Sequence, residues 1–210
     1  MRKTVLLVLA MALVPACLFA VDGVVLINQS TVMAAGGFPY IIKDPGSYKL
    51  SGNLTMSTTT TGNYSGLDIA IGINSSGVVL DLNGFSIIVN NNNQSILHNF
   101  YAIADFGSYR QTSIKNGTIT VNSVDTITGV ARYGIYLHSS LRSGVEDLSI
   151  YVNSGCFTSC APRTLDLGQE SLILRNVLTG SSSNISCPSV VVQNVGIGSL
   201  PISCVSANNL

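Results

Sequence analysis

Eight acidic residues of this 210-residue chain, Asp68, Asp81, Asp105, Asp125, Glu146, Asp147, Asp166 and Glu170, stand within or beside strand-like segments, where two could act as acid and base. A glycosidase needs two carboxyl groups roughly 5–10 Å apart. Only Glu146 and Asp147 are adjacent, and strand alternation sends neighbours to opposite faces. Asp68 and Asp105 fall near equivalent strands of successive repeats, and His138 follows the corresponding strand of the next. Stacking would gather a carboxylate pair and an imidazole on one face, which makes Asp68, Asp105 and His138 the candidate catalytic residues. The competing expectation is that each is a solvent-facing position on an alternating strand. Arg110, Lys115, Arg132, Arg142 and Arg175 read as scattered surface charges.

Binding chemistry points to the tyrosines. Tyr101, Tyr109, Tyr133 and Tyr136 are the candidate ligand-binding residues, with Tyr151 of the same kind. Aromatic faces on a flat sheet can hold sugar rings, although Tyr is also an ordinary strand residue and packing is the competing role. Cysteines form the third set: Cys156, Cys160, Cys187 and Cys204 remain once Cys17 is assigned to a leader. Four cysteines in an exported chain favour disulfides and permit three pairings. Cys156–Cys160 and Cys187–Cys204, each closing a local loop, are the favoured pairs. A zinc site is disfavoured, because Cys187 and Cys204 are not a second close pair and neither His98 nor His138 lies at ligand spacing. No metal and no cofactor is expected.

The elements that must position these residues repeat. The segment Val78 to Ile87 alternates apolar and polar residues around Asn83-Gly84, and related corners recur at Asn53, Asn116, Asp147, Asn176 and Asn194. Successive corners are 29 to 33 residues apart until the last step, which is 18. A period in this range marks a repeat architecture whose units bury their faces against their neighbours. Short strands, Asn/Gly corners and no helical period indicate a coiled parallel sheet. Equivalent Asn side chains would sit one strand spacing apart, about 4.7–4.9 Å, and hydrogen-bond from coil to coil as a ladder. A second strand set, beginning at Gly66, Tyr101 and Tyr133, precedes each corner by about a dozen residues. Loops at 57–65, 90–99 and 121–132 would project from one edge, where solenoids carry binding surfaces.

The runs Val78 to Ile87 and Pro45 to Leu54 resemble the secreted right-handed parallel β-helix proteins of environmental bacteria, within the broad pectin-lyase-like superfamily. The resemblance covers about residues 38–198 and implies an all-β, single-stranded right-handed parallel β-helix of five to six coils. Such proteins include pectate lyases, polygalacturonases, phage tailspikes and adhesins, so fold analogy alone does not select an activity. The Asp-Asp, Gly-His-Gly and Arg-Ile-Lys elements of polygalacturonases are absent from this sequence, as is the local Asp cluster that binds calcium in pectate lyases.

Residues 1–20 have the form of a secretory signal peptide, with Arg2 and Lys3 before the apolar run Val5 to Leu13 and small residues after Pro15. Cleavage after Ala20 or after Ala16 fits; the latter would leave Cys17 for a lipid anchor, a signal that Pro15 suits poorly. Loss of Arg2 and Lys3 from the ten basic residues leaves eight against ten acidic, a net charge of −2. That argues against a nucleic-acid partner. Charged residues make up only 10% of the chain, consistent with outer faces of hydroxyls and amides. The expected organisation is a signal peptide (1–20), an amino-terminal cap (21–37) with a short helix at Asn28 to Ala35, the β-helix (38–198), and a tail or partial cap (199–210). The function expected from all this is a secreted, non-enzymatic scaffold presenting a rigid surface at the cell envelope and binding polysaccharide or another envelope component. The alternatives are a polysaccharide lyase or glycoside hydrolase with an atypical site, and a structural subunit that stacks end to end on copies of itself.

Overall fold

The computed structural model describes residues 23–58, 62–92, 98–124, 130–154, 161–179, 182–186, 189–195 and 205–207. The chain opens with β1 (Val24–Ile27), helix α1 (Gln29–Ala34), β2 (Tyr40–Ile42), β3 (Gly46–Leu50) and β4 (Leu54–Ser57). Three strands follow in the next coil, β5 (Asp68–Ile73), β6 (Val78–Asp81) and β7 (Ser86–Asn91). Then come β8 (Phe100–Asp105) and the long β9 (Ser113–Ser123), followed by β10 (Ala131–Leu137) and the long β11 (Gly144–Ser154). The last described strands are β12 (Ala161–Leu167), β13 (Leu172–Leu174), β14 (Val177–Thr179), β15 (Ser182–Ile185), β16 (Val190–Val192) and β17 (Val205–Ala207).

Every pairing between named strands is parallel and joins one coil to the next. The result is a parallel β-helix of right-handed type with about four turns, fewer than the five to six expected from the corner spacing. Its cross-section has three faces. An 11-stranded sheet bends at a corner into a first face, through β1, β3, β6, β9, β11, β13, β16 and β17, and a second face, through β4, β7, the ends of β9 and β11, and β14. A six-stranded sheet, β2, β5, β8, β10, β12 and β15, forms the third face. Inward residues stack in columns: Leu80, Ile114, Val145, Ile173 and Val191 stand in register and are fully buried. Each adds apolar area removed from water, and each depends on the coil above and below for that burial.

The corners are set by backbone conformation. Between the first and second faces, Asn83, Asn116, Asp147, Arg175 and Gln193 all adopt positive φ, from 52° to 60°. Asn and Asp tolerate this left-handed region through short side chains that bond locally; Arg and Gln occupy it because the stacked register requires a sharp turn there. A second left-handed corner, before the first face, holds Gly77, Gln111, Arg142 and Glu170. Gly117 follows the Asn116 corner without positive φ, and a Cβ there would press on the Leu82 side chain and lie 2.6 Å from the Phe85 carbonyl oxygen.

The expected asparagine ladder therefore divides into two columns. Asn83, Asn116 and Asp147 are left-handed, exposed corner residues, whereas Asn176 and Asn194 sit one position further on, turned inward and buried. Among the described corner residues it is this inner pair that stacks amide on amide: Asn176 Nδ2 donates to Asn194 Oδ1 at 2.9 Å and to the Val145 carbonyl at 2.8 Å, while Asn176 Oδ1 accepts from the Leu148 amide at 3.0 Å. Asn53 instead accepts from the Ser86 amide at 2.9 Å. A further amide contact, Asn122 Nδ2 to Asn90 Oδ1 at 3.1 Å, lies at the far end of the second face.

The short helix expected near residues 28–35 is present as α1. Asn28 Oδ1 accepts from the Thr31 amide and Thr31 Oγ1 from the Asn28 amide, a reciprocal capping box. Val32 of α1 is fully buried in the main core, and Gln29 bonds both ways to the backbone of Thr55. The leader and all four cysteines, Cys156, Cys160, Cys187 and Cys204, lie outside the described residues, as does Asp125.

Candidate functional site

The residues with chemical potential gather on the third face. Regular alternation would turn residues 101, 103 and 105 outward, but Ala102 and Ile103 both belong to the main core, as do Ala70 and Ile71. The strands therefore present positions three apart, and Tyr101 with Ala104, and Tyr133 with Tyr136, form a second hydrophobic cluster on the outer side. Tyr101 and Tyr133 are cross-strand partners with rings stacked at 4.9 Å and 9°. Tyr136 meets both edge-on, at 5.3 Å and 4.9 Å, and its own ring stacks on His138 at 5.8 Å. Tyr101 is 7% exposed and Tyr133 8%, so both rings are packing elements. Burial pushes the Tyr101 hydroxyl up to about 12, against the opposing effect of its bond from Asn99.

Beside this stack lie two buried carboxyls. Asp105 ends β8 and is 8% exposed; its Oδ2 accepts from Ser140 Oγ at 2.7 Å. Asp166, on β12, is buried at 2%, and its Oδ1 lies 2.8 Å from His138 Nδ1. The imidazole is the open part of the group, with 48% of its side chain exposed. Burial raises the Asp105 carboxyl to about 6; the Ser140 hydroxyl and the nearby His138 pull it down and Asp166 pushes it up. Desolvation favours the neutral acid, so Asp105 holds its proton well into the range where an ordinary aspartate is ionised. Two buried carboxyls and an imidazole thus share one edge of the face, side-chain types able to exchange protons.

The expected trio is only partly assembled. Asp105 and His138 do approach each other, but Asp68 does not join them, because Asp68 pairs in register with Phe100 whereas Asp105 pairs with Ile73. Five residues of strand separate the two acids, about 16 Å at 3.3 Å per residue. Asp68 is fully buried and binds His98 Nε2 at 2.9 Å and the Asn63 amide at 3.2 Å. Neither Asp68 nor Asp105 is a solvent-facing strand position. The members missed in the sequence were Asp166 and Ser140, which lie one coil on from their partners, 28 and 35 residues away.

Other candidates fall elsewhere. Tyr109 lies in the turn after β8 and its hydroxyl bonds Asn74 Oδ1. Glu146 and Asp147 are not sent to opposite faces: Asp147 is a corner residue, and Arg175 reaches it at 2.6 Å and Glu146 at 3.6 Å. Arg142 binds Glu170 at 2.7 Å. Lys115 stands in a first-face column of alternating sign, Lys49, Asp81, Lys115 and Glu146. Arg132 is fully buried, 5.8 Å from the Phe100 ring centroid, and donates to the Val130 carbonyl. These cations are thus ordered by the coil and are not scattered. A cleft of about 390 Å³ opens at the amino-terminal end, lined by Tyr40, Lys43, Asp44 and Tyr48, away from the carboxyl cluster. Among the described residues no group of three or more His, Cys, Asp or Glu is placed to hold a metal ion.

Comparison with known proteins gives no family model, no curated protein and no solved structure that matches this chain.

Proposed function

We propose that the protein is an exported, non-catalytic scaffold that presents rigid outer faces at the cell envelope and binds polysaccharide or another envelope component there. One observation carries this reading: the ionisable side chains are used to join coil to coil. His98–Asp68, His138–Asp166, Ser140–Asp105, Arg142–Glu170 and Arg175–Asp147 each link residues 28 to 35 positions apart, about one coil. Such bonds fix the register of a stack whose stability is a sum of neighbour contacts. Kinship with the pectin-lyase-like superfamily belongs to the same proposal, supported by the three-faced parallel coil. The signal-peptide form of residues 1–20 and the low charge support export. The test is a panel of neutral and acidic glycans, scored for both retention and cleavage by the purified mature protein. Retention without new reducing ends or unsaturated products is expected; cleavage would overturn the non-catalytic reading.

A second reading, acid–base catalysis on a glycan, has its own support in the buried Asp105, whose carboxyl is raised to about 6 mainly by burial, near Asp166 and the open His138 ring. It requires cleavage that is lost in both Asp105→Asn and His138→Ala.

A further inference from the structure

The second face differs from the rest of the surface in one respect: its strands carry no charged residue. Segments 54–57, 86–91, 118–123, 149–154 and 177–179 contain no Asp, Glu, Lys, Arg or His, while the first face displays the Lys49, Asp81, Lys115 and Glu146 column. Outward positions are mainly Ser, Thr and Asn. The middle column runs Thr55, Ile88, Thr120, Tyr151 and Thr179, and a flanking column runs Asn90, Asn122 and Asn153. The rows stand about 4.7–4.9 Å apart, and outward residues along a strand about 6.6 Å apart. Asn122 donates to Asn90, so part of this amide row is already oriented and loses less freedom on binding.

Tyr151 lies in the middle of that grid and is 43% exposed. Unlike Tyr101 and Tyr133, its ring is offered to solvent.

We infer that the second face is a binding platform for an uncharged polysaccharide, with Tyr151 as the residue on which a sugar ring stacks. This rests on the glycan-binding scaffold reading and gives it a place and a ligand class. Hydroxyls and amides exchange hydrogen bonds with sugar hydroxyls, and the aromatic face takes the C–H face of a pyranose. A uronate or sulfated chain would find no cation on this face to offset its desolvation. Such neutral contacts are also insensitive to screening.

The mature protein is tested by affinity electrophoresis and pull-down against cellulose, chitin and a β-1,3-glucan, with pectate and alginate as acidic counterparts. Retention on a neutral glycan is expected, unchanged at about 0.5 M salt. Tyr151→Ala and Thr120→Lys should each weaken it by about tenfold or more, the loss of one good contact, whereas Tyr151→Phe, which keeps the ring, and Lys49→Ala on the first face should keep it. Unfolding midpoints confirm that the variants fold. Retention on acidic glycans only, or neutral-glycan binding that Tyr151→Ala and Thr120→Lys leave intact, overturns the platform while the scaffold reading stands. Failure to retain any glycan overturns both.

Discussion

Replacing Asp105 by Asn should make the protein more stable at neutral pH. A carboxyl that titrates at about 6 when folded, against 3.8 when exposed, opposes folding by about 3 kcal/mol once ionised, at 1.36 kcal/mol for each pH unit. The sign follows from proton counting. Between pH 3.8 and 6 the folded chain holds a proton that the unfolded chain has released, so stability falls as pH rises through this window and is level above it. The substituted amide would keep the shape and could still accept from Ser140 Oγ, but has no charge to desolvate. Urea unfolding of wild type and Asp105→Asn from pH 4 to 8 measures the difference directly, and it includes the coupling of Asp105 to His138 and Asp166, which face the same group. The two curves should converge near pH 4 and separate to about 3 kcal/mol, on the order of magnitude, above pH 6. Parallel curves, or a variant less stable than wild type at pH 7, would refute the assignment of Asp105 as a carboxyl whose ionisation burial disfavours. Ser140→Ala should move the wild-type window upward, because the hydroxyl is what favours the ionised form.

The inner amides should matter more than the corner ones: Asn176→Ala leaves the Leu148 amide and Val145 carbonyl without their partner and should cost about 1–3 kcal/mol, whereas Asn83→Gly, which keeps the left-handed corner and gives up one bond to the Leu50 carbonyl, should cost less than about 1 kcal/mol in the same unfolding assay. Gly117→Ala, whose Cβ meets Leu82 and the Phe85 carbonyl, should destabilise by about 1–3 kcal/mol through overpacking; an unchanged midpoint would mean that the corner yields. Arg175 holds the Asp147 carboxyl below the usual range through a paired hydrogen bond, so the contribution of that pair is present at neutral pH and lost as pH falls through the lowered value. An NMR titration of Asp147 should shift upward in Arg175→Gln.

The coil itself was legible because apolar alternation and Asn-Gly corners are local signals, and Val78 to Ile87 displays both. Register was not. Asn176 looks like Asn116 in sequence, yet the left-handed residue at its corner is Arg175, a type that does not announce positive φ; stacking set the backbone and the side chain followed. The same limit hid Asp166 and Ser140, since partners one coil apart are separated by 28 residues in one case and 35 in the other, and the difference is made by loops of unequal length. Tyr101 and Tyr151 both stand on the outer side of their strands, and their neighbours one coil away decide exposure: Tyr101 is covered by Tyr133 and Tyr136, whereas Tyr151 stands between Thr120 and Thr179.

The left-handed corners also count the residues spent on each rung. Steps between them run 33 residues from Asn83 to Asn116, then 31 to Asp147, 28 to Arg175 and 18 to Gln193, so the rungs use fewer residues toward the carboxy-terminal end. Strands β14, β15 and β16 still pair with the coil beneath on the second, third and first faces, so the 18-residue rung keeps the three-faced outline with shorter strands. The rung is thus shortened by giving up strand and connecting residues and not by giving up a face. Among the described residues the rung at 177–192 buries Leu178 and Val191, whereas β11 alone buries Val145, Leu148, Ile150 and Val152, so the carboxy-terminal rung adds less apolar burial to the stack than the rung before it.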